Sequence, residues 1–160
     1  MSITVGDKLP EATFTVMDGG PKQVSASEVF AGKRVALFAV PGAFTPTCSE
    51  HHLPGFVGHA DALKAKGVDL VACTAVNDVF VLDAWAKARG ADGTVTMLAD
   101  GSAAFAKALG LDVDLGPFGL GVRSKRYAMI VEDGAVKYLA IEDSPPEHSK
   151  ATAEKLLAAL

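Results

Sequence analysis

Cysteine is scarce, at two in 160 residues. Two thiols close one bridge at most, so a disulfide-stapled scaffold is excluded and an apolar core must hold the fold. Long apolar runs are missing too. The mean hydropathy is +0.27, high for a domain in water, yet no run approaches the roughly 20 residues of a membrane span. The surplus is available for a subunit interface. An excess of basic charge is absent: 15 Lys and Arg face 19 Asp and Glu, a net charge of −4, which argues against nucleic acid as a partner. The start, Met1-Ser2-Ile3-Thr4-Val5-Gly6-Asp7, has no basic stretch leading into an apolar core, so the expected location is cytoplasmic, with reduced cysteines. What is present is an apolar share of 49%, too high for disorder. The length fits one domain over residues 1–160.

Periodicity and punctuation predict the elements. Phe14 to Met17 reads as a short strand before the Asp18-Gly19-Gly20-Pro21 turn, and Ser25 with Glu28 has capping-box spacing for a helical stretch to Phe30. Val35 to Val40 is a continuous apolar run, as in a strand buried on both faces. Pro46 and Thr47 open a helix with Cys48 in its first turn, and Pro54 makes that helix kink or restart before it runs on to Gly67. Val68 to Ala75 and Val95 to Ala99 read as strands. Val79 to Arg89 and Ser102 to Leu109 read as helices, the second ended by Gly110. Leu115 to Ser124 is glycine-rich and expected to be a loop. Tyr127 to Glu132 and Ala135 to Ile141 flank Asp133-Gly134, a hairpin signal. Ser144-Pro145-Pro146-Glu147 has capping-box spacing with proline inside the start, so a last helix is predicted to begin there, its apolar face carrying Ala153, Leu156, Leu157 and Leu160. Strand and helix alternate, which predicts an α/β fold with a mixed central sheet and helices on both faces.

The chemistry concentrates in Pro41-Gly42-Ala43-Phe44-Thr45-Pro46-Thr47-Cys48, between a buried strand and a helix start. Sites in open α/β sheets lie at the carboxyl ends of strands, and a helix N-terminus favours a thiolate through its free N–H groups and dipole. An ordinary thiol is about 3% ionised at pH 7, whereas one with a pKa of about 6 is about 90% ionised, a thirtyfold gain in nucleophile. Thr45, three residues before Cys48, places a hydroxyl where it can bond the sulfur or a bound oxygen. It also leaves no Cys-x-x-Cys pair, so disulfide exchange within one motif is unavailable. On residue type alone, Arg123, Lys125 and Arg126 read as a solvated strand end.

Extended by Ser49-Glu50-His51-His52-Leu53-Pro54-Gly55-Phe56, this segment resembles the peroxiredoxins, and more narrowly their atypical type II, or type five, subgroup. The likeness continues through Cys73-Thr74-Ala75-Val76-Asn77-Asp78 and from Gly119 to Tyr127. The resemblance implies a thioredoxin-like fold and a thiol peroxidase acting on hydrogen peroxide and organic hydroperoxides, with no metal or organic cofactor. Cys48 would attack the peroxide, Arg126 would supply a fixed cation, Thr45 would hold the peroxide and Pro41 would shield the pocket from water. The backbone N–H groups of Thr47 and Cys48 would complete the cradle. It also implies a homodimer with the loops near Phe44 and Phe118 at its interface.

Some subgroup members resolve the sulfenic acid with a cysteine near the C-terminus; Leu139 to Leu160 contains none. Cys73 matches a second cysteine that other members have, but it ends an apolar strand. It reads either as a buried bystander, which leaves resolution to an external thiol (glutathione with glutaredoxin, or thioredoxin), or as the resolving cysteine. A redox sensor that passes oxidation to partner thiols is the rival from another class. Cys48-x-x-His51 and His51-His52 invite zinc or a Cys–His hydrolase, but no second ligand pair, orienting acid or oxyanion motif is visible. His52 reads as a packed or hydrogen-bonded helix histidine. Gly116-Pro117-Phe118-Gly119-Leu120-Gly121 lacks the order of a nucleotide loop.

Overall fold

The computed structural model of the chain describes residues 2–160. In chain order the elements are β1 (Thr13–Met17), β2 (Pro21–Ser25), α1 (Ala26–Phe30), β3 (Arg34–Ala39), a wide π-helical turn (Cys48–His52), α2 (Leu53–Ala65), β4 (Leu70–Ala75), α3 (Val79–Ala88), β5 (Thr96–Ala99), α4 (Ala104–Leu109), β6 (Asp112–Asp114), β7 (Val122–Ser124), β8 (Tyr127–Glu132), β9 (Ala135–Ile141) and α5 (Ala153–Ala158). The main sheet has seven strands in the order β2-β1-β5-β4-β3-β8-β9. β3 lies parallel to β4 and β4 parallel to β5, while β8 runs antiparallel to β3. The sheet is therefore mixed and the architecture thioredoxin-like.

β3 has a strand on each side and helices on each face, which is why Val35 to Val40 contains no polar residue. Its alternate side chains feed two cores. Ala36 and Phe38 pack with Cys73 of β4, Leu53, Phe56 and Leu63 of α2, Trp85 of α3 and Leu156 of α5. Val35 and Leu37 pack with Phe14 of β1, Phe30 of α1 and Phe105 of α4. The Ser25–Glu28 capping box forms as its spacing predicts. The hairpin closes on Asp133 and Gly134, both at positive φ.

Four local expectations need correction. Pro21 to Ser25 is a strand, paired with β1 at the sheet edge, where proline removes no ladder bond inside the sheet. The glycine-rich segment is not all loop: Val122–Ser124 pairs antiparallel with Asp112–Asp114, around a 3-10 turn at Gly116–Phe118. α4 begins at Ala104, not Ser102, because the Asp100 carboxylate accepts the Phe105 and Ala106 N–H groups at 3.0 and 2.9 Å. No helix starts at Ser144. Ser144 Oγ does reach Glu147 at 2.8 Å, but the N–H groups of Ser149, Lys150 and Ala151 donate to the Glu142 carboxylate and not to helical carbonyls. α5 starts instead after Thr152, whose hydroxyl caps Lys155 N–H at 3.2 Å.

Candidate active site

The β3–β8 register sets Ala39 opposite Tyr127. The residue before β8, Arg126, is thereby delivered to the segment that leaves β3, across 78 positions of sequence. That segment turns tightly. Gly42 O accepts Thr45 N–H at 3.4 Å and Thr45 Oγ1 at 2.5 Å, with Phe44 at a φ of 64°. A left-handed non-glycine costs about 1–3 kcal/mol. Asn77 Oδ1 holds the turn from the β4–α3 side through Ala43 N–H at 2.9 Å. Gly42 leaves room for Arg123, since a Cβ there would lie 2.8 Å from Arg123 Nη1. Arg123 bonds Pro41 O at 3.3 Å and Leu120 O at 2.9 Å, tying the β6–β7 ribbon to the turn.

The first helical bond runs from Ser49 N–H to Thr45 O at 3.0 Å, so the N–H groups of Thr47 and Cys48 precede the helical ladder. Leu53 N–H then donates five residues back, to Cys48 O. This wide turn is the physical outcome of Pro54, which has no N–H to give Glu50 O. Ser49 is buried and accepts Trp85 Nε1–H at 3.0 Å, which pins the turn to α3.

Arg126 is only 2% exposed, so it is no solvated strand end. Its Nη2 donates to Cys48 Sγ at 3.1 Å and to Pro145 O at 3.0 Å; Nε donates to Pro145 O at 3.1 Å; Nη1 donates to His52 Nδ1 at 2.9 Å. The tautomer of His52 follows. Its Nε2 lies 2.7 Å from Ala151 O, which can only accept, so Nε2 carries the proton and Nδ1 offers a lone pair to Arg126. Burial, then the Arg126 charge, then His148 hold the His52 pKa well below the usual histidine range. His148, 5.0 Å away by ring centroids, is also lowered, by burial first and Arg126 second.

Thr45 does not bond the sulfur. Its proton is committed to Gly42 O, and its oxygen lone pairs remain as acceptors. Cys48 is fully buried, and an open pocket of about 450 Å³ reaches Arg126 and Thr45. Pro41, Pro46, Pro145, Leu115, Phe118 and Leu120 wall it, and Phe118 is 77% exposed.

Cys73 stands opposite Phe38 in the middle of the sheet, fully buried. Burial first, then Cys48, push its thiol well up, against the pull of Arg126. Both cysteines are free thiols. The structure thus sets Pro41, Thr45 and Arg126 around one pocket, with Cys48 buried behind Arg126 at 3.1 Å, and leaves Cys73 in mid-sheet away from the pocket. His52 is a hydrogen-bonded helix histidine, as its place in the motif predicts, whereas nothing in that motif points to its partner Arg126 or to the Pro145 carbonyl. Backbone carbonyls carry no sequence signature, so only the paired prolines at 145 and 146 could have marked that loop.

The Redoxin family profile matches residues 4–157. Over 164 aligned residues the chain is 49% identical to Peroxiredoxin-2E, chloroplastic, of Arabidopsis thaliana, covering 99% of this chain and 70% of that protein. The chain belongs to the peroxiredoxins. It is a type II, type-five-like member and a thiol peroxidase. Reduced Prx3 of Vibrio vulnificus in complex with hydrogen peroxide is 53% identical to this peroxiredoxin, with a TM-score of 0.93 over 98% of this chain and 95% of that one. A Burkholderia cenocepacia protein described as a thioredoxin reductase is 47% identical, with a TM-score of 0.96 over 100% and 99% of the two chains. That name does not carry over, because this peroxiredoxin has no Cys-x-x-Cys pair. No described helix is long and apolar enough to cross a membrane.

Proposed function

We propose that residues 1–160 work as one thioredoxin-like domain in which Cys48 is the peroxide-reactive thiol, reducing hydrogen peroxide and organic hydroperoxides. One observation carries this reading: a buried guanidinium lies 3.1 Å from Cys48 Sγ at a helix start beneath an open pocket. The ion pairs among the described residues do not include Arg126. A buried cation without a carboxylate is costly, and a thiolate at Cys48 supplies its counter-ion.

The sulfur lone pair attacks one peroxide oxygen and the O–O bond breaks. Sulfur loses two electrons and becomes a sulfenic acid; the other oxygen takes the electron pair and a proton and leaves as water or an alcohol. Negative charge spreads over both oxygens in the transition state, where fixed donors are worth most. Arg126 and the N–H groups of Thr47 and Cys48 are those donors. Thr45, its own proton held by Gly42 O, accepts the peroxide O–H and sets it in line. Pro41 keeps water from the sulfur.

Recycling falls to an external thiol, glutathione with glutaredoxin or thioredoxin: one thiol forms a mixed disulfide with Cys48 and releases water, and a second attacks that disulfide, leaves as the oxidised reductant and frees the Cys48 thiol. The position of Cys73 in mid-strand, buried and with its pKa raised, supports this over a role as resolving cysteine. Two unpaired thiols suit a reducing compartment such as the cytoplasm. Exposed Phe44, Phe118, Leu120 and Val122 support a homodimer through this face, which sedimentation at working concentration tests.

The deciding experiment oxidises the protein with stoichiometric peroxide, traps sulfenic acid with dimedone and maps the product. Dimedone on Cys48 with Cys73 free is the expected result. A Cys48–Cys73 disulfide as the main species overturns the external-thiol cycle. Coupled turnover with glutathione–glutaredoxin and with thioredoxin then names the reductant.

A further inference from the structure

Glu142 follows β9 and is only 4% exposed, yet the chemistry above makes no use of it. Its Oε2 accepts three backbone N–H groups, from Ser149 at 2.9 Å and from Lys150 and Ala151 at 2.7 Å each. Its Oε1 receives Ser149 Oγ at 3.5 Å. No Lys or Arg pairs with it among the described residues, and Lys150 Nζ goes to Asp143 instead. Its own backbone N–H donates to Arg126 O at 2.9 Å. Glu142 therefore closes residues 143–150 into a loop pinned at both ends, one end on Arg126 itself.

That closed loop delivers acceptors to the site. Pro145 O takes two N–H groups of Arg126, Pro146 O takes Thr47 Oγ1–H at 3.3 Å, and Ala151 O, at the clasped end, takes His52 Nε2–H at 2.7 Å. His52 in turn presents Nδ1 to Arg126. Of the guanidinium's partners other than the sulfur, Pro145 O thus lies within the closed loop, and His52, packed on Phe38 and Phe56, is bonded to its clasped end. Hydrogen bonds from backbone N–H groups to a carboxylate are shorter and stronger than those to a neutral acceptor, which fits the 2.7–2.9 Å distances of these three.

We propose that Glu142 is a positioning residue for the peroxidase reaction, its carboxylate fixing the 143–151 loop so that Pro145 O and His52 aim Arg126 at Cys48. The proposal rests on the roles given to Arg126 and Cys48 above, and the experiment separates the two. Glu142→Gln keeps the shape and removes the charge: its amide oxygen can take the place of Oε2, leaving the three N–H groups a neutral acceptor, and its NH2 takes the place of Oε1 beside Ser149 Oγ. Its test is single-turnover reaction of the reduced full-length protein with hydrogen peroxide, with the pH profile of Cys48 alkylation by iodoacetamide and a thermal melt alongside.

The rate constant is expected to fall about 10- to 100-fold, the loss typical of a displaced reacting group, and the alkylation profile to move to higher pH. Glu142→Asp retains the charge and should recover part of the rate. Added to Arg126→Lys, Glu142→Gln should cost nothing further, since its effect runs through the guanidinium. Glu147→Gln, an exposed charge lost from the same loop, should keep the wild-type rate constant. A melt lowered with rate constant and profile unchanged would make Glu142 a scaffold for α5 alone and overturn the proposal, as would an equal loss in Glu147→Gln. If Glu142→Gln does not fold, Glu142→Asp decides: a threefold or greater loss of rate supports the proposal and an unchanged rate overturns it. An unchanged rate in Arg126→Lys would instead overturn the reading of the site.

Discussion

Arg126 Nη1 donates to His52 Nδ1 at 2.9 Å, so the lateral partner of this buried guanidinium is a neutral imidazole. A carboxylate in that place would neutralise the arginine. An imidazole orients it and leaves its charge directed at Cys48 Sγ, 3.1 Å from Nη2. The pair also explains why burial is tolerated on both sides: each polar atom of His52 has a partner, Ala151 O at Nε2 and Arg126 at Nδ1.

This arrangement sets a pH dependence of stability. Burial, Arg126 and His148 depress the His52 pKa in the folded protein, while the unfolded side chain titrates near about 6.5. The unfolded chain therefore binds the extra proton first, and the stabilisation, complete above about 6.5, is lost as pH falls below it. The urea midpoint should drop between pH 7.5 and 5.5, with a slope from this one group of no more than about 1.4 kcal/mol per pH unit. His52→Gln should flatten the slope; equal slopes in the two proteins would contradict the assignment.

Arg126→Lys keeps a cation but cannot serve Sγ, His52 Nδ1 and Pro145 O from one nitrogen in a fixed fork. The single-turnover rate constant with hydrogen peroxide should fall about 100-fold, as when a transition-state donor is lost. Stopped-flow mixing measures it, and a loss under threefold would remove the guanidinium from the mechanism.

Cys73→Ala should retain turnover with an external thiol within about twofold and cost about 1 kcal/mol of stability, as for an ordinary core substitution. In the native protein iodoacetamide should label Cys48 and spare Cys73, whose thiol burial keeps protonated. Lost turnover in Cys73→Ala would restore it as the resolving residue.

Trp85, the sole tryptophan, donates to Ser49 beside Cys48. Cys48 is fully buried, so a protein thiol can reach it only if the wide turn opens, and opening breaks that bond. Trp85 emission should change as the mixed disulfide forms and recover on reduction, and Ser49→Ala should blunt the change. Constant emission through the cycle would contradict opening at this turn.

Much of this was legible from residues alone, for separate physical reasons. Val35 to Val40 announces a strand buried on both faces, and Asp133-Gly134 announces its hairpin, because each signal is local. Cys48 and Thr45 lie in one contiguous motif. Arg126 does not: only the β3–β8 register brings it to the thiol, and on residue type it looked solvated. The family likeness, not periodicity, singled it out. Ser144-Pro145-Pro146-Glu147 misled because its local pair does form, while a carboxylate outside the motif, Glu142, captures the N–H groups that a helix would need. The contacts of Pro145 O and Ala151 O are made by backbone atoms, which any residue could supply.

The central claim is that Cys48 carries the peroxidase reaction. Steady-state peroxide consumption by Cys48→Ser, with glutathione–glutaredoxin and with thioredoxin as electron donors, tests it most directly. The serine hydroxyl ionises far above the working pH and its oxygen cannot be oxidised to a sulfenic acid equivalent, so turnover should fall to the uncatalysed background with either donor, in a protein that melts as the wild type does. Peroxide consumption by Cys48→Ser at a rate near that of the wild type would contradict the account.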